Sequence, residues 1–408
     1  MRILLLSQFY PPVIGGEERH VHSLAHALDA RGHDVAVATQ SGAVTKTDEA
    51  QRIPIYPLHG AVQRLTRVYV DNQRPHAPPF PDPELAFTLR RAMRAHRPDV
   101  VHAHNWIFYS YLPLRPFWSA PLVVTLHDYG LVCPRKNLTF HEGLCSGPAP
   151  SKCYGCAVDH YGAAKGTVTL ASHMAMRPLV SRAVDRYLAV STAVARDNRL
   201  QGLPHEVVPN FIPDRFEQIG DGPKTALLPG EPFILFVGDL SPHKGVRILL
   251  DAYRSLGAAP PLVLIGRRTP ETPRDLPPNV QLFESWAHAD VLAAWRRCLF
   301  GLAPSIWREP CATVLMEGMS FAKPMVATRL GGNTDIVEHD VSGMLVAPGD
   351  ATELAAAMRT LIDDASLRER LGAGAMQRVA QFRSAAVVSR IERVYADVLE
   401  SKGSVAAA

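Results

Sequence analysis

The sequence predicts an α/β protein of two doubly wound domains, and three observations predict it. A chain of 408 residues is long for a single core at the usual ~100–200 residues per domain. Its N-terminal stretch runs strand, glycine turn, helix, strand, the order of a parallel β-α-β unit. A second strand-helix series opens after a stretch crowded with glycine and proline, which marks a break between two similar halves. An apolar content of 47% with 20% charged residues belongs to compact domains and excludes disordered and collagen-like chains.

In the first half, Ile3 to Leu6 reads as a buried strand, and Gly15-Gly16 precedes a helix whose Val21, Leu24, Ala25 and Leu28 recur at helical spacing. Arg31-Gly32-His33 ends that helix with a C-terminal glycine, and Val35 to Thr39 supplies the next strand. Val100 to His102, Leu122 to Leu126 and Tyr187 to Val190 extend the sheet, so the first domain is expected over residues 1–210. Gly220, Gly222, Pro223, Pro229, Gly230 and Pro232 place the linker at 211–232. The second domain, 233–385, carries strands at Phe233 to Val237, Leu262 to Ile265, Leu299 to Ala303 and Pro324 to Ala327. Ile391, Val394, Tyr395 and Val398 pattern a closing helix within 386–408, expected to pack back toward the N-terminal domain.

Composition narrows the function classes. The balance of 43 basic against 39 acidic residues, a formal +4, is too even for a protein that wraps a polyanion, so no nucleic-acid partner is expected. The runs Ile3 to Leu6 and Phe233 to Val237 fall far short of the ~20 apolar residues of a membrane span. Ser7 and Gln8 end the first run before a secretory signal could form, which points to a cytoplasmic protein. Arg90, Arg94 and Arg97, with Arg91 adjacent, share a helix with Leu85, Leu89 and Met93. That pattern is a solvated basic face on a helix-to-sheet seam; peripheral contact with anionic headgroups at the inner face of a membrane is the alternative.

The chemistry concentrates at Glu309 and Glu317. The first lies before Pro310, the second inside the helix-forming run Val314 to Met319. A helix starting near Ala312 aims its free N–H groups and positive dipole end between the two carboxylates, a place for a phosphate. Carboxylates beside an anion repel it at contact, so their fitting role is to accept hydrogen bonds from sugar hydroxyls that flank the phosphate. Nucleotide sugars have that layout. His102, His104 and Trp106 follow a first-domain strand, where open α/β sheets bind ligands, and are candidates for an acceptor pocket or for core.

In Gly15-Gly16, Arg31-Gly32-His33, His127-Asp128, Gly238 through Lys244-Gly245, Glu309 to Glu317 and Gly331-Gly332, taken in that order, the chain resembles the family-four retaining glycosyltransferases. The resemblance implies the GT-B fold, in which two Rossmann-like doubly wound domains face each other across a cleft, the first binding the acceptor and the second the donor. It implies transfer of a sugar from a nucleoside diphosphate donor to a hydroxyl acceptor, with retention and without a required metal cofactor. The acceptor class stays open between a sugar, a lipid-linked glycan and a small molecule. Carried over onto this sequence, catalysis falls to His127 beside the donor sugar, Lys244 on the diphosphate and Glu309 on the sugar hydroxyls. Donor binding falls to Gly15 and Gly16, whose amides approach the diphosphate, to Arg267 and Arg268, to Cys311, Ala312, Thr313 and Val314, and to Glu317 on the ribose. A nucleotide-sugar epimerase, a glycan phosphorylase or a non-catalytic nucleotide-sugar-binding protein of the same fold are the alternatives.

Two departures stand out. Asp239 occupies the position after Gly238 where the family usually has an arginine for phosphate; Arg267 or Arg268 is expected to compensate, the alternative being a leaving group bound differently from the usual arrangement. Pro310-Cys311-Ala312-Thr313 replaces the commoner aromatic-glycine pair, which brings the Thr313 hydroxyl toward the phosphate. Separately, Cys133, Cys145, Cys153 and Cys156 fall in a segment read as a loop without its own core. Four thiolates there suit one structural zinc ion, with His141 and His160 as alternative ligands; a redox pair and unligated thiols are the other readings. Cys298 and Cys311 read as packing residues.

Overall fold

The computed structural model describes residues 1–11, 15–40, 47–48, 53–64, 77–141, 143–215 and 220–406. Residues 216–219 of the expected linker and residues 407–408 of the expected tail lie outside them. The chain divides into two compact units, residues 1–209 with 387–408, and residues 210–386.

The first unit is built on strands β1 (Arg2–Ser7), β2 (Asp34–Thr39), β3 (Thr47–Asp48), β4 (Ile53–Pro57), β5 (Val100–His104) and β6 (Leu122–Leu126). A small hairpin of β7 (Thr139–Phe140) and β8 (Gly143–Leu144) follows, then β9 (Arg186–Ala189) and β10 (His205–Val207). The eight-stranded sheet has the order β10-β9-β6-β5-β1-β2-β4-β3, parallel except where β3 meets β4. β1 and β6 are largely apolar runs because both faces of a parallel sheet are covered, while β5 buries His102 and His104 beside its valines. The helices are α1 (Gly16–Ala30), α2 (Pro83–His96), α3 (Pro150–Tyr161), α4 (Ala163–Ala183) and α5 (Thr192–Asp197). Asp82 caps α2, accepting from Glu84 N at 3.0 Å and Leu85 N at 3.2 Å. Leu85, Leu89 and Met93 are buried on that helix, while Arg90, Arg91 and Arg94 are exposed. The segment around the four cysteines is not the coreless loop expected: Cys153 and Cys156 lie on α3, which packs on α4.

The second unit carries β11 (Ile234–Val237), β12 (Leu262–Ile265), β13 (Val280–Phe283), β14 (Gly301–Ala303), β15 (Met325–Thr328) and β16 (Gly343–Val346). They form an all-parallel sheet in the order β13-β12-β11-β14-β15-β16. Its helices are α6 (Val246–Ser255), α7 (His288–Arg297), α8 (Thr313–Ser320), α9 (Asn333–Ile336), α10 (Ala351–Asp363) and α11 (Ala365–Val379). One face of the sheet packs around Trp295, Leu315 and Met319, the other around Leu249, Leu354 and Met358. The closing helix, α12 (Ser384–Ala406), is longer than the apolar pattern suggested, and most of it belongs to the first unit.

In both sheets the chain adds strands to one side of the first strand and then to the other. β1 sits between β2 and β5, and β11 between β12 and β14. At such a reversal the connections leave in opposite directions and open a crevice beyond the carboxyl ends of the strands. The chemistry-bearing side chains of each unit lie there.

Candidate functional site

In the second unit the crevice lies between the ends of β11 and β14. After β11 a short 3-10 turn, Pro242–Lys244, leads through Gly245 into α6. Gly245 has φ +73° and lies against the Pro304 carbonyl, where no Cβ fits. The His243 carbonyl accepts from Ile306 N at 2.9 Å. These contacts tie the Lys244 turn to the segment after β14, and the Lys244 ammonium reaches Glu309 Oε1 at 2.6 Å.

Glu309 is 4% exposed. Its Oε1 also accepts from Ser305 Oγ at 2.7 Å and from Trp307 Nε1 at 2.8 Å. Burial alone would raise its pKa, but Lys244, Ser305 and Trp307 outweigh burial and hold it below the usual carboxylate range. All of its side-chain donors among the described residues fall on Oε1, so Oε2 is the oxygen left to accept from a ligand. Its backbone is held from behind: Gly332 N donates to Glu309 O at 2.6 Å, and Gly331, φ +63°, packs on the Glu309 main chain where a side chain would collide. Three donors on one oxygen of a buried carboxylate make a rigid, charged acceptor.

Glu317, 8% exposed on α8, accepts at Oε1 from His288 Nε2 at 3.0 Å. α8 begins at Thr313 with Ala312 as its cap residue, which offers no side-chain oxygen to its first amides. Ahead of it, burial pushes the Cys311 thiol up to about 12, so this cysteine is a protonated neighbour rather than a nucleophile. Of the arginines assigned to phosphate, Arg267 Nη2 meets Asp239 Oδ2 at 2.9 Å and Arg268 Nε meets Glu284 Oε2 at 3.3 Å, both pairs at the surface. Asp239 is thus neutralised by Arg267. Lys244 and Glu309 are drawn together in the second unit, with Ser305 and Trp307 on Glu309 and His288 on Glu317 as partners that the sequence did not single out. Ser305 and Trp307 sit within four residues of Glu309, a signal present in the chain but without direction until the fold turns both toward Oε1.

In the first unit, His127 follows β6 and its Nε2 lies 2.9 Å from His104 Nδ1, with the two rings stacked. His20 of α1 stands edge-on to both. Burial lowers the His20 pKa to about 4 and that of His104 well below its ordinary value, so both rings are neutral at pH 7. Glu17 accepts from Asn105 Nδ2; burial and its neighbour Glu18 push it up to about 8. Gly15 caps α1 in extended conformation, with the Glu18 carboxylate where a side chain on Gly15 would go, whereas Gly16 faces open space. His102 and Trp106 belong to the core. His102 is fully buried between Tyr395 Oη and Thr125 Oγ1, each at 2.7 Å, and Trp106 donates from Nε1 to Gly130 O at 2.9 Å.

The four cysteines of the first unit line one small cavity with Arg135. Among the described residues no three of their sulfurs lie within 4.8 Å of one another, so the four thiols share a cavity without forming a closed ligand set. The reason is local: α3 carries Cys156 toward the Arg135 guanidinium, 3.4 Å away, and Cys145 turns to the Gly147 carbonyl.

Two family models match the chain: the one described as Glycosyltransferase Family 4 over residues 14–216 and the one described as Glycosyl transferases group 1 over residues 221–378. A glycogen synthase of Mycobacterium tuberculosis is 28% identical over 97% of this chain and 94% of its own. A phosphatidyl-myo-inositol mannosyltransferase of Mycobacterium leprae is 26% identical, covering 99% of each chain. Among solved structures, the sucrose-phosphate synthase of Thermosynechococcus elongatus superposes with a TM-score of 0.74 at 17% identity, covering 98% of this chain and 100% of that one.

Proposed function

Because this chain belongs to family four of the glycosyltransferases, GT-B in fold and dependent on a nucleotide-sugar donor, we propose that it transfers the sugar with retention of anomeric configuration and without a catalytic divalent metal. The observation that carries this reading is the Lys244–Glu309 pair, 2.6 Å apart at the end of β11. Breaking a sugar-phosphate bond builds negative charge on the departing oxygen. One ammonium hydrogen of Lys244 is committed to Glu309, which leaves two for the diphosphate. The uncapped first amides of α8 add fixed dipoles toward the same anion. Glu309 Oε2 accepts from a hydroxyl of the donor sugar, and Glu317 from the ribose.

Charge on the leaving group is met by an ammonium and amides, so the chemistry makes no demand for a metal ion. Glu309 has one oxygen saturated and its backbone locked, which suits an anchor for a hydroxyl rather than a nucleophile that must move onto carbon. Retention then follows from attack on the face the diphosphate leaves, with a phosphate oxygen taking the proton of the acceptor. The acceptor hydroxyl is proposed to lie on a sugar, a lipid-linked glycan or a small molecule, in line with the glycan and inositol-lipid acceptors named for the relatives. Among the described residues no helix is long and apolar enough to cross a membrane. The proposed setting is the cytoplasm, with the exposed arginines of α2 as a contact for anionic headgroups.

The test is turnover of a panel of nucleotide sugars with chelator present and NMR assignment of the product anomer. Glu309→Ala and Lys244→Ala are expected to lower turnover at least about tenfold each. An inverted product, loss of activity with chelator, or wild-type rates in both variants would overturn the assignment.

A further inference from the structure

The end of β5 and the turn after β6 bring two histidines into direct contact. His104 Nδ1 lies 2.9 Å from His127 Nε2, and the rings stack with 5.2 Å between centroids. We propose that His104 is a positioning residue for glycosyl transfer, donating from Nδ1 to His127 Nε2 and so holding His127 as its Nδ1–H tautomer in one ring orientation. The inference rests on the glycosyl-transfer reading and on His127 acting in it. A neutral imidazole carries one N–H and one bare nitrogen, and the partner of one nitrogen decides the state of the other. His104 is fully buried, and burial keeps its ring neutral at pH 7. Its Nε2 has no hydrogen-bond partner among the described residues. A proton on Nε2 would strand a buried N–H without an acceptor, a defect that folded proteins rarely carry. On Nδ1 the same proton is used in the contact with His127.

The framework of the first unit holds His104 from behind. β5 lies between β1 and β6 in the sheet. The His104 ring packs on His102 with 4.5 Å between centroids, and His102 is fixed at both nitrogens, by Tyr395 Oη and Thr125 Oγ1 at 2.7 Å each. His20 of α1 adds an edge at 5.8 Å. His127, on the turn after β6, is only partly buried, so the constraint runs from the enclosed ring to the more exposed one. Its chemical effect is to make His127 a hydrogen-bond donor at its second nitrogen. A donor there favours negative charge developing on a substrate oxygen, whereas the other tautomer would turn a lone pair on the same atom.

The test reads tautomer and kinetics separately. Long-range ¹H–¹⁵N NMR of the full chain at about pH 8, above the ordinary imidazole value, should show Nδ1–H at His127, assigned by the signals lost in His127→Ala. In His104→Leu the same ring should revert toward Nε2–H, the form an unconstrained imidazole favours. Its kcat should fall at least about tenfold, with the donor KM within about twofold of wild type. His104→Asn, whose amide keeps an N–H at the same reach, should restore the Nδ1–H signal and most of kcat. The spectrum of the unaltered chain decides the tautomer even if a variant fails to fold. Nε2–H at His127 in the unaltered chain, an unchanged kcat in His104→Leu, or an asparagine variant no better than the leucine one would overturn the proposal. A chain that uses no nucleotide sugar at all would overturn the transfer reading instead, and the NMR result would still decide the contact between the two rings.

Discussion

Glu309 shows how much one residue depends on its donors. Its carboxylate is ionised inside the protein because an ammonium, a hydroxyl and an indole N–H converge on one oxygen, and each replaces hydration that burial removed. A depressed pKa contributes stability that is fully present above the unfolded carboxylate value, about 4.3, and is lost as pH falls through the lower native value. Glu309→Gln removes the titration and leaves Lys244 beside a neutral amide. Its stability deficit relative to wild type, measured by urea unfolding across pH 3–7, should be largest above about pH 5 and shrink below about pH 4. A gap that widens on acidification would contradict the depressed pKa.

At the scale of elements, the two turns that hold Lys244 and Glu309 rest on glycines that cannot be replaced without moving backbone. Gly331 carries φ +63° and lies on the Glu309 main chain, and Gly245 carries φ +73° and lies on the Pro304 carbonyl. Gly331→Ala adds left-handed strain and a collision, so a stability loss of at least about 1–3 kcal/mol is expected. It should also cost turnover, since Glu309 is displaced with the turn. Chemical denaturation with a parallel rate measurement checks this, and a stable, fully active variant would show that the turn does not position the carboxylate. Much of this level was legible beforehand. The strands β1, β6, β11 and β12 announce themselves because a strand buried on both faces is largely apolar. The strand β13 was missed because it lies at the sheet edge, half-exposed, with Gln281 in its middle. The helix α3 was missed because Cys153 and Cys156 read as ligands on a loop without its own core until α4 supplies the surface that α3 packs on.

At the scale of the molecule, the C-terminal helix completes a unit that began at residue 1. Val387, Val388, Ile391, Val394, Tyr395 and Val398 of α12 are 0–3% exposed, and Tyr395 bonds His102 in the middle of the first sheet. At about 1.5–3 kcal/mol per large buried apolar side chain, these exceed the usual ~5–15 kcal/mol stability of a domain or come close to it. A chain ending at Ala386 should therefore lose its first unit to limited proteolysis, while a fragment near residues 210–386 persists. Equal resistance of both regions would refute this.

The sequence by itself determined the fold class, the family and the carboxylate-bearing segment from Glu309 to Glu317, because hydrophobic runs, turn glycines and motif order are properties of neighbours along the chain. Tertiary structure alone decided which charges meet. Lys244 found Glu309, Arg267 met Asp239, and His20, His104 and His127 were brought beside one another. Each of these pairings spans elements distant along the chain, and electrostatic and hydrogen-bonding contacts depend on separations of a few ångströms that only the packing of those elements sets.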